Sequence, residues 1–135
     1  MKTYEIDGND FSNLAEFAEV FSKIVLRDHM WNGNLNAFDD ILRGGFGTPD
    51  EGFILIWKNS HKSRKDLGFP ETERWYEEHY NTCHPSNQHR MIQGKDKAHH
   101  QEGETVFDWL IEIIKAHGPG GTEQEDGVIL QLEEG

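Results

Sequence analysis

The sequence predicts an α/β fold, a small three-stranded parallel sheet packed by helices with an inserted polar segment, in the order β-α-α-β-(α, insert)-α-β. Three observations lead there. "KTYEI" (2–6), "FILIW" (53–57) and "GVILQL" (127–132) have the length and composition of strands. Apolar residues at the 3/4 spacing of a helix face lie between them. Strands separated by helical connections imply a parallel sheet with right-handed crossovers.

The first strand carries β-branched or aromatic residues at alternate positions and closes at Asp7-Gly8. Leu14, Phe17, Ala18, Phe21, Ile24 and Val25 then repeat as one helix face, with Ser12 or Asp10 as its cap. A polar turn, Trp31-Asn32-Gly33, leads into a second helix over about 34–43. Gly33 offers a permissive backbone there and Asn34 a cap. "GGFGTP" ends that helix, because its glycines and Pro49 cannot continue it. "FILIW" is continuously apolar, as for a strand buried on both faces. "KNSHKSRKDLG" (58–68) reads as a short exposed basic helix or turn. Residues 69–103 read as an insert: polar, rich in His, Gly and Lys, helical near 71–80, then irregular and partly mobile. "TVFDWLIEIIKAHG" (105–118) is the clearest helix. Thr105 and Asp108 have capping-box spacing, Phe107, Leu110, Ile113 and Ile114 form its stripe, and Gly118-Pro119 stops it.

A chain of 135 residues is expected to form a single domain, 1–135, with a core that needs no metal or disulfide staple. Its formal net charge of −12, from 25 acidic against 13 basic residues, disfavours nucleic-acid backbones and anionic membranes as partners. It favours a cationic partner, and equally serves solubility. Lys58, Lys62, Arg64 and Lys65 crowd into one segment, as a solvated face or an internal counterweight to the acid. The single Cys83 excludes an intramolecular disulfide and suits a reducing cytosol. The start, "MKTYEIDGND", has no apolar h-region, and the "FILIW" run is far short of a membrane span. A soluble, cytoplasmic protein is the expectation.

Two segments carry candidate chemistry. On the second helix, Leu35, Phe38, Ile41 and Leu42 share one side, while Asn36 and Asp40 stand nearly opposite, one turn apart. Asp39 lies at the flank of the apolar stripe. On the residues alone, a solvated face with Arg43 paired to Asp40 explains this pattern better than a binding face does. In the insert, His79 and Cys83 are one helical turn apart, His84 is adjacent, and His89, His99 and His100 follow. That allows a small metal-dependent enzyme as an alternative function. No Cys-x-x-Cys or His-x-x-x-His pair accompanies them, so a solvated polar segment with no metal and no cofactor is the better reading. No nucleophile or phosphate-cradling loop accompanies them either, and no catalytic residue is assigned.

"WNGNLNAFDDIL" (31–42), followed by "RGGFGTP" and "FILIWKNS", resembles the barstar family of ribonuclease inhibitors. The resemblance covers 2–67 and 104–132, with 69–103 lacking a counterpart in compact members. It implies a three-stranded parallel sheet packed by helices. It also implies an activity, blocking a bacterial ribonuclease toxin by laying the second helix and its leading loop over the active site. Asn34, Leu35 and Ala37 match the family's signature, and Trp31 matches the aromatic before it. Asp40 falls on the family's key inhibitory aspartate, and Asn36 falls where a second interfacial aspartate is usual. Met30 stands where another aromatic is common, and Gly45, beside Phe46, where a tryptophan is common. The implied partner is a cognate ribonuclease with a cationic active site, whose phosphate position a helix-borne carboxylate can fill. The expected contact residues are Trp31, Asn32, Gly33, Asn36, Asp39, Asp40 and Phe46. A barstar-like adaptor for a partner other than a ribonuclease is the remaining alternative.

Overall fold

The computed structural model describes residues 1–135. Three strands, β1 (Lys2–Asp7), β2 (Phe53–Lys58) and β3 (Val128–Glu133), form one parallel sheet in the order β1-β2-β3. The register puts Tyr4, Leu55 and Leu130 in one row and Ile6, Trp57 and Leu132 in the next, all on the same face. Six helices complete the chain: α1 (Leu14–Phe21), α2 (Leu35–Leu42), α3 (Ser60–Asp66), α4 (Phe69–Thr82), α5 (Gln88–His99) and α6 (Val106–Ala116).

The apolar stripes of α1, α2 and α6 meet the inner sheet face in one cluster. Phe17 stacks on Trp57 at 5.1 Å, Phe21 meets Phe38 edge-on at 5.1 Å, and Phe107 meets Trp57 at 5.3 Å. Such rings bury large areas and prefer offset or edge contacts, so this aromatic centre supplies much of the driving force. β2 departs from the sequence expectation. Phe53, Leu55 and Trp57 are fully buried, but Ile54 and Ile56 are only half-buried. The second face of the sheet carries exposed Thr3 and Glu5 beside those isoleucines, so β2 is buried on one side.

The cap of α1 also differs from expectation. Asn13 is the N-cap, its side chain accepting from the Glu16 amide, while the Ser12 amide donates to the Glu16 carboxylate. The last turn of α1 widens into a π-helix, Ser22–Leu26. For α2 and α6 the expected caps are present: Asn34 accepts from the Ala37 amide, and Thr105 and Asp108 form a reciprocal capping box.

The insert is the main correction. Residues 69–103 are not irregular after 80; they form a helical hairpin, α4 packed along α5 through a Pro85–Asn87 turn. A Cβ at Gly94 would stand 2.3 Å from the Tyr76 ring, so this glycine lets the two helices close on each other. The hairpin base is part of the fold. The Val106 amide donates to the hydroxyl of the fully buried Thr72, and the Leu14 amide donates to the Glu71 carboxylate. Trp75 and Tyr76 pack on Trp109, with ring centroids 4.9 and 5.7 Å away. The basic segment is α3, and Lys62 works as a tether, donating to the Gly8 and Phe11 carbonyls and pairing with Asp66. That fits the internal-counterweight reading.

Candidate functional site

The loop 27–34 and helix α2 are held from below. Ser22, buried at the π-turn, accepts a hydrogen bond from the Trp31 amide at 2.9 Å. The Trp31 indole N–H donates to the Asn34 carbonyl at 2.8 Å, and the ring stacks on Phe38 at 4.5 Å. Trp31 is 3% exposed, so it works mainly as the support of the loop. Asn32 closes an Asx turn by accepting from the Asn34 amide. Gly33 is buried with φ +95°, and the nearest atoms to a Cβ there lie 3.7 Å off; backbone conformation, not space, demands glycine.

Above Trp31 lies a shallow depression of about 280 Å³, lined by Met30, Trp31, Asn32, Ala37, Asp40, Ile41 and Phe46. Its rim has an apolar side, with Met30 73% and Phe46 46% exposed, and an anionic side at Asp40, whose side chain is 63% exposed. Gly47 keeps the Phe46 loop close to the π-turn, since a Cβ there would meet the Leu26 carbonyl at 2.7 Å. Asn36 is exposed on the same helix. A second cleft, about 290 Å³, separates the 32–34 turn from α4 and is walled by Arg74, Trp75, Glu78 and His79.

Asp39 has a different environment. One carboxylate oxygen lies 2.7 Å from Nε2 of His117, the other 3.0 Å from Arg43. Arg43 also reaches Asp40 at 2.6 Å and Glu123 at 2.7 Å. His117 is 0% exposed, and its Nδ1 lies 2.6 Å from Asp126. An ionised carboxylate only accepts, so both contacts are hydrogen bonds when both ring nitrogens donate, which is the imidazolium form. Burial opposes that charge, but hydrogen bonds to Asp126 and Asp39, with Glu123 nearby, raise the His117 pKa above the ordinary value.

Asp39, His117 and Glu123 are the one group of three metal-type donors that lie within 4.8 Å of one another. Asp39 and Glu123 each face Arg43 with one oxygen and His117 with the other, so the cluster is held together as an ion-pair network. The insert histidines do not converge. His79 turns back to the Trp75 carbonyl, His84 meets Ser86, His99 faces Glu73 and His100 bonds the Asp96 carbonyl.

Sequence reasoning noted Met30 only as a departure from the family's aromatic and left it out of the contact residues, and it missed His117, a histidine placed at a helix end. It also missed Glu123 and Asp126, whose only signal was the acidity of the last turn. The Arg43–Asp40 pair was legible from its i,i+3 spacing.

The fold and this surface define a class: small α/β domains that present an acidic helix beside an apolar depression. The family model described as barstar, barnase inhibitor, matches residues 1–79, more than half of the chain. This chain belongs to the barstar family. The match runs from β1 into α4 and does not take in 104–132, where the structure supplies the third strand beside β2. No curated protein and no solved structure matches the chain. No helix is long and apolar enough to cross a membrane.

Proposed function

We propose that this protein is an immunity-type inhibitor of a bacterial ribonuclease toxin, acting in the cytoplasm as one domain and without a catalytic step. The observation that carries the reading is Asp40: an exposed carboxylate on a capped, buried-side-anchored helix, at the edge of an apolar depression, in a family of ribonuclease inhibitors. A ribonuclease holds phosphate with Arg, Lys and His. A carboxylate on a rigid helix accepts charge-assisted hydrogen bonds from such a site. Met30 and Phe46 supply the apolar contacts around it, and Asn32 and Asn36 complete the face, with the buried Gly33 shaping the turn beneath.

Asn36 in place of a carboxylate favours a ribonuclease with one fewer cation at that edge. The test is a titration of barnase, and of any ribonuclease encoded beside this chain, with the purified protein. Stoichiometric loss of RNA cleavage supports the reading. No inhibition of either enzyme, together with RNA cleavage by the chain itself, overturns it.

A further inference from the structure

His117 follows the last turn of α6 and is enclosed between α2 and the Gln124–Asp126 turn. From it a ladder of charged contacts runs to the surface: Asp126 to His117, His117 to Asp39, Asp39 to Arg43, and Arg43 to Asp40. Glu123 braces two rungs, 3.4 Å from His117 and 2.7 Å from Arg43. Four carboxylates therefore face two cations across the junction of α2 with the segment between α6 and β3.

We propose that His117 and Asp39 are positioning residues for the inhibitory helix, holding α2 against the α6–β3 junction and fixing, through Arg43, the direction of the Asp40 carboxylate. Asp39 serves the helix from within and does not touch the ribonuclease. Two physical arguments carry this. A neutral imidazole has a single N–H, so losing the proton would leave one carboxylate facing the lone pair of a buried ring across 2.6–2.7 Å in a part-buried contact. Arg43 holds only the Oδ1 oxygen of Asp40. The other oxygen is left for a partner, and the ion pair restricts the side chain before binding, which lowers the entropy cost. The functional half of this inference rests on the inhibitor reading; the structural half does not.

Imidazole nitrogen NMR of the full chain tests the structural half. The expected result is two His117 ring N–H signals at pH 7, persisting above the ordinary imidazole pKa of about 6.5. Asp39→Asn should shift that titration downward, and amide exchange along α2 should accelerate. His117→Gln is the second variant, with faster α2 exchange expected and no pH response.

On barnase, Asp39→Asn should weaken inhibition by about tenfold, the scale of one charged hydrogen bond. The ratio of parent to His117→Gln affinity should fall as pH rises through the His117 titration. A neutral His117 at pH 7, or α2 exchange unchanged in Asp39→Asn, overturns the proposal. An Asp39→Asn loss as large as that of Asp40→Ala, at every pH and with α2 exchange unchanged, would instead make Asp39 a direct contact. If the parent does not inhibit barnase, the barnase reading fails while the NMR result still decides the positioning role.

Discussion

Asp40 and Asp39 are neighbours on one helix, yet their surroundings separate their roles. Asp40 is the more exposed, and on its ordered side it meets only Arg43. Removing it opens no cavity and breaks one exposed ion pair, a loss of about 0.2–1 kcal/mol of stability. In a complex the same truncation strands a cationic phosphate site. Such a loss typically costs about 2–5 kcal/mol, or roughly 30- to 5,000-fold in affinity. Asp40→Ala is therefore expected to melt within a few degrees of the parent while its inhibition titration shifts by that factor. Periodicity placed Asp40 on the exposed side of α2, and the family resemblance singled it out there. Arg43, one turn from Asp39, is within reach of the same periodicity, but His117 lies 78 residues away.

The hairpin α4–α5 is the element that sequence reading handled least well. Its residues give only a narrow apolar face, and Ala98 is the one fully buried residue of α5. Good helix formers such as Gln, Arg, Met, Lys and Ala sustain the helix instead, with α4 as its packing surface. The base and tip of this hairpin differ in consequence. Thr72, Glu71 and Trp75 hold α6 and the start of α1, so excising 69–103 entirely removes buried hydrogen bonds and an aromatic contact. Replacing only residues 80–91 by a short linker leaves those contacts, and loop entropy changes slowly with length. The tip-trimmed chain is expected to give a cooperative melt with native helix content less the lost turns, by circular dichroism. The full excision is expected to lose cooperativity.

Over the whole molecule, charge sets two expectations. The His117 pKa is raised in the folded state, so its contribution is fully present below the unfolded value of about 6.5 and is lost as pH rises through the folded value. Asp7 has the opposite sign. Hydrogen bonds from the Asn9 amide and the Asn59 side chain lower its pKa, so its contribution holds above about 3.9 and is lost as pH falls through the lowered value. Thermal melts from acid to mildly alkaline pH should show stability declining at both ends. In His117→Gln the alkaline decline should flatten and the acid decline should remain. The net charge of −12 should also steer a cationic ribonuclease. Screening contracts from about 10 Å at 0.1 M salt to about 3 Å at 1 M. Stopped-flow association is expected to slow steeply over that range, while a flat rate would leave the charge to solubility.

By itself the sequence determined the three strands, the capped helices α2 and α6, and the exposed side of α2. Each follows from local periodicity, cap chemistry or chain breakers, which act within a few residues. Only the tertiary structure decided that β2 is covered on one face, because burial depends on which helices return to the sheet. It likewise decided that the polar insert closes as a hairpin on Trp109, and that Trp31 lies beneath the loop it introduces. The sharpest case is Asp39. Its position on the helix and its neighbour Arg43 were readable from spacing, but its chemistry was set by His117, with Glu123 and Asp126 around it, all brought from the far end of the chain. Electrostatic environment is a property of distance in space, and sequence separation carries no measure of it.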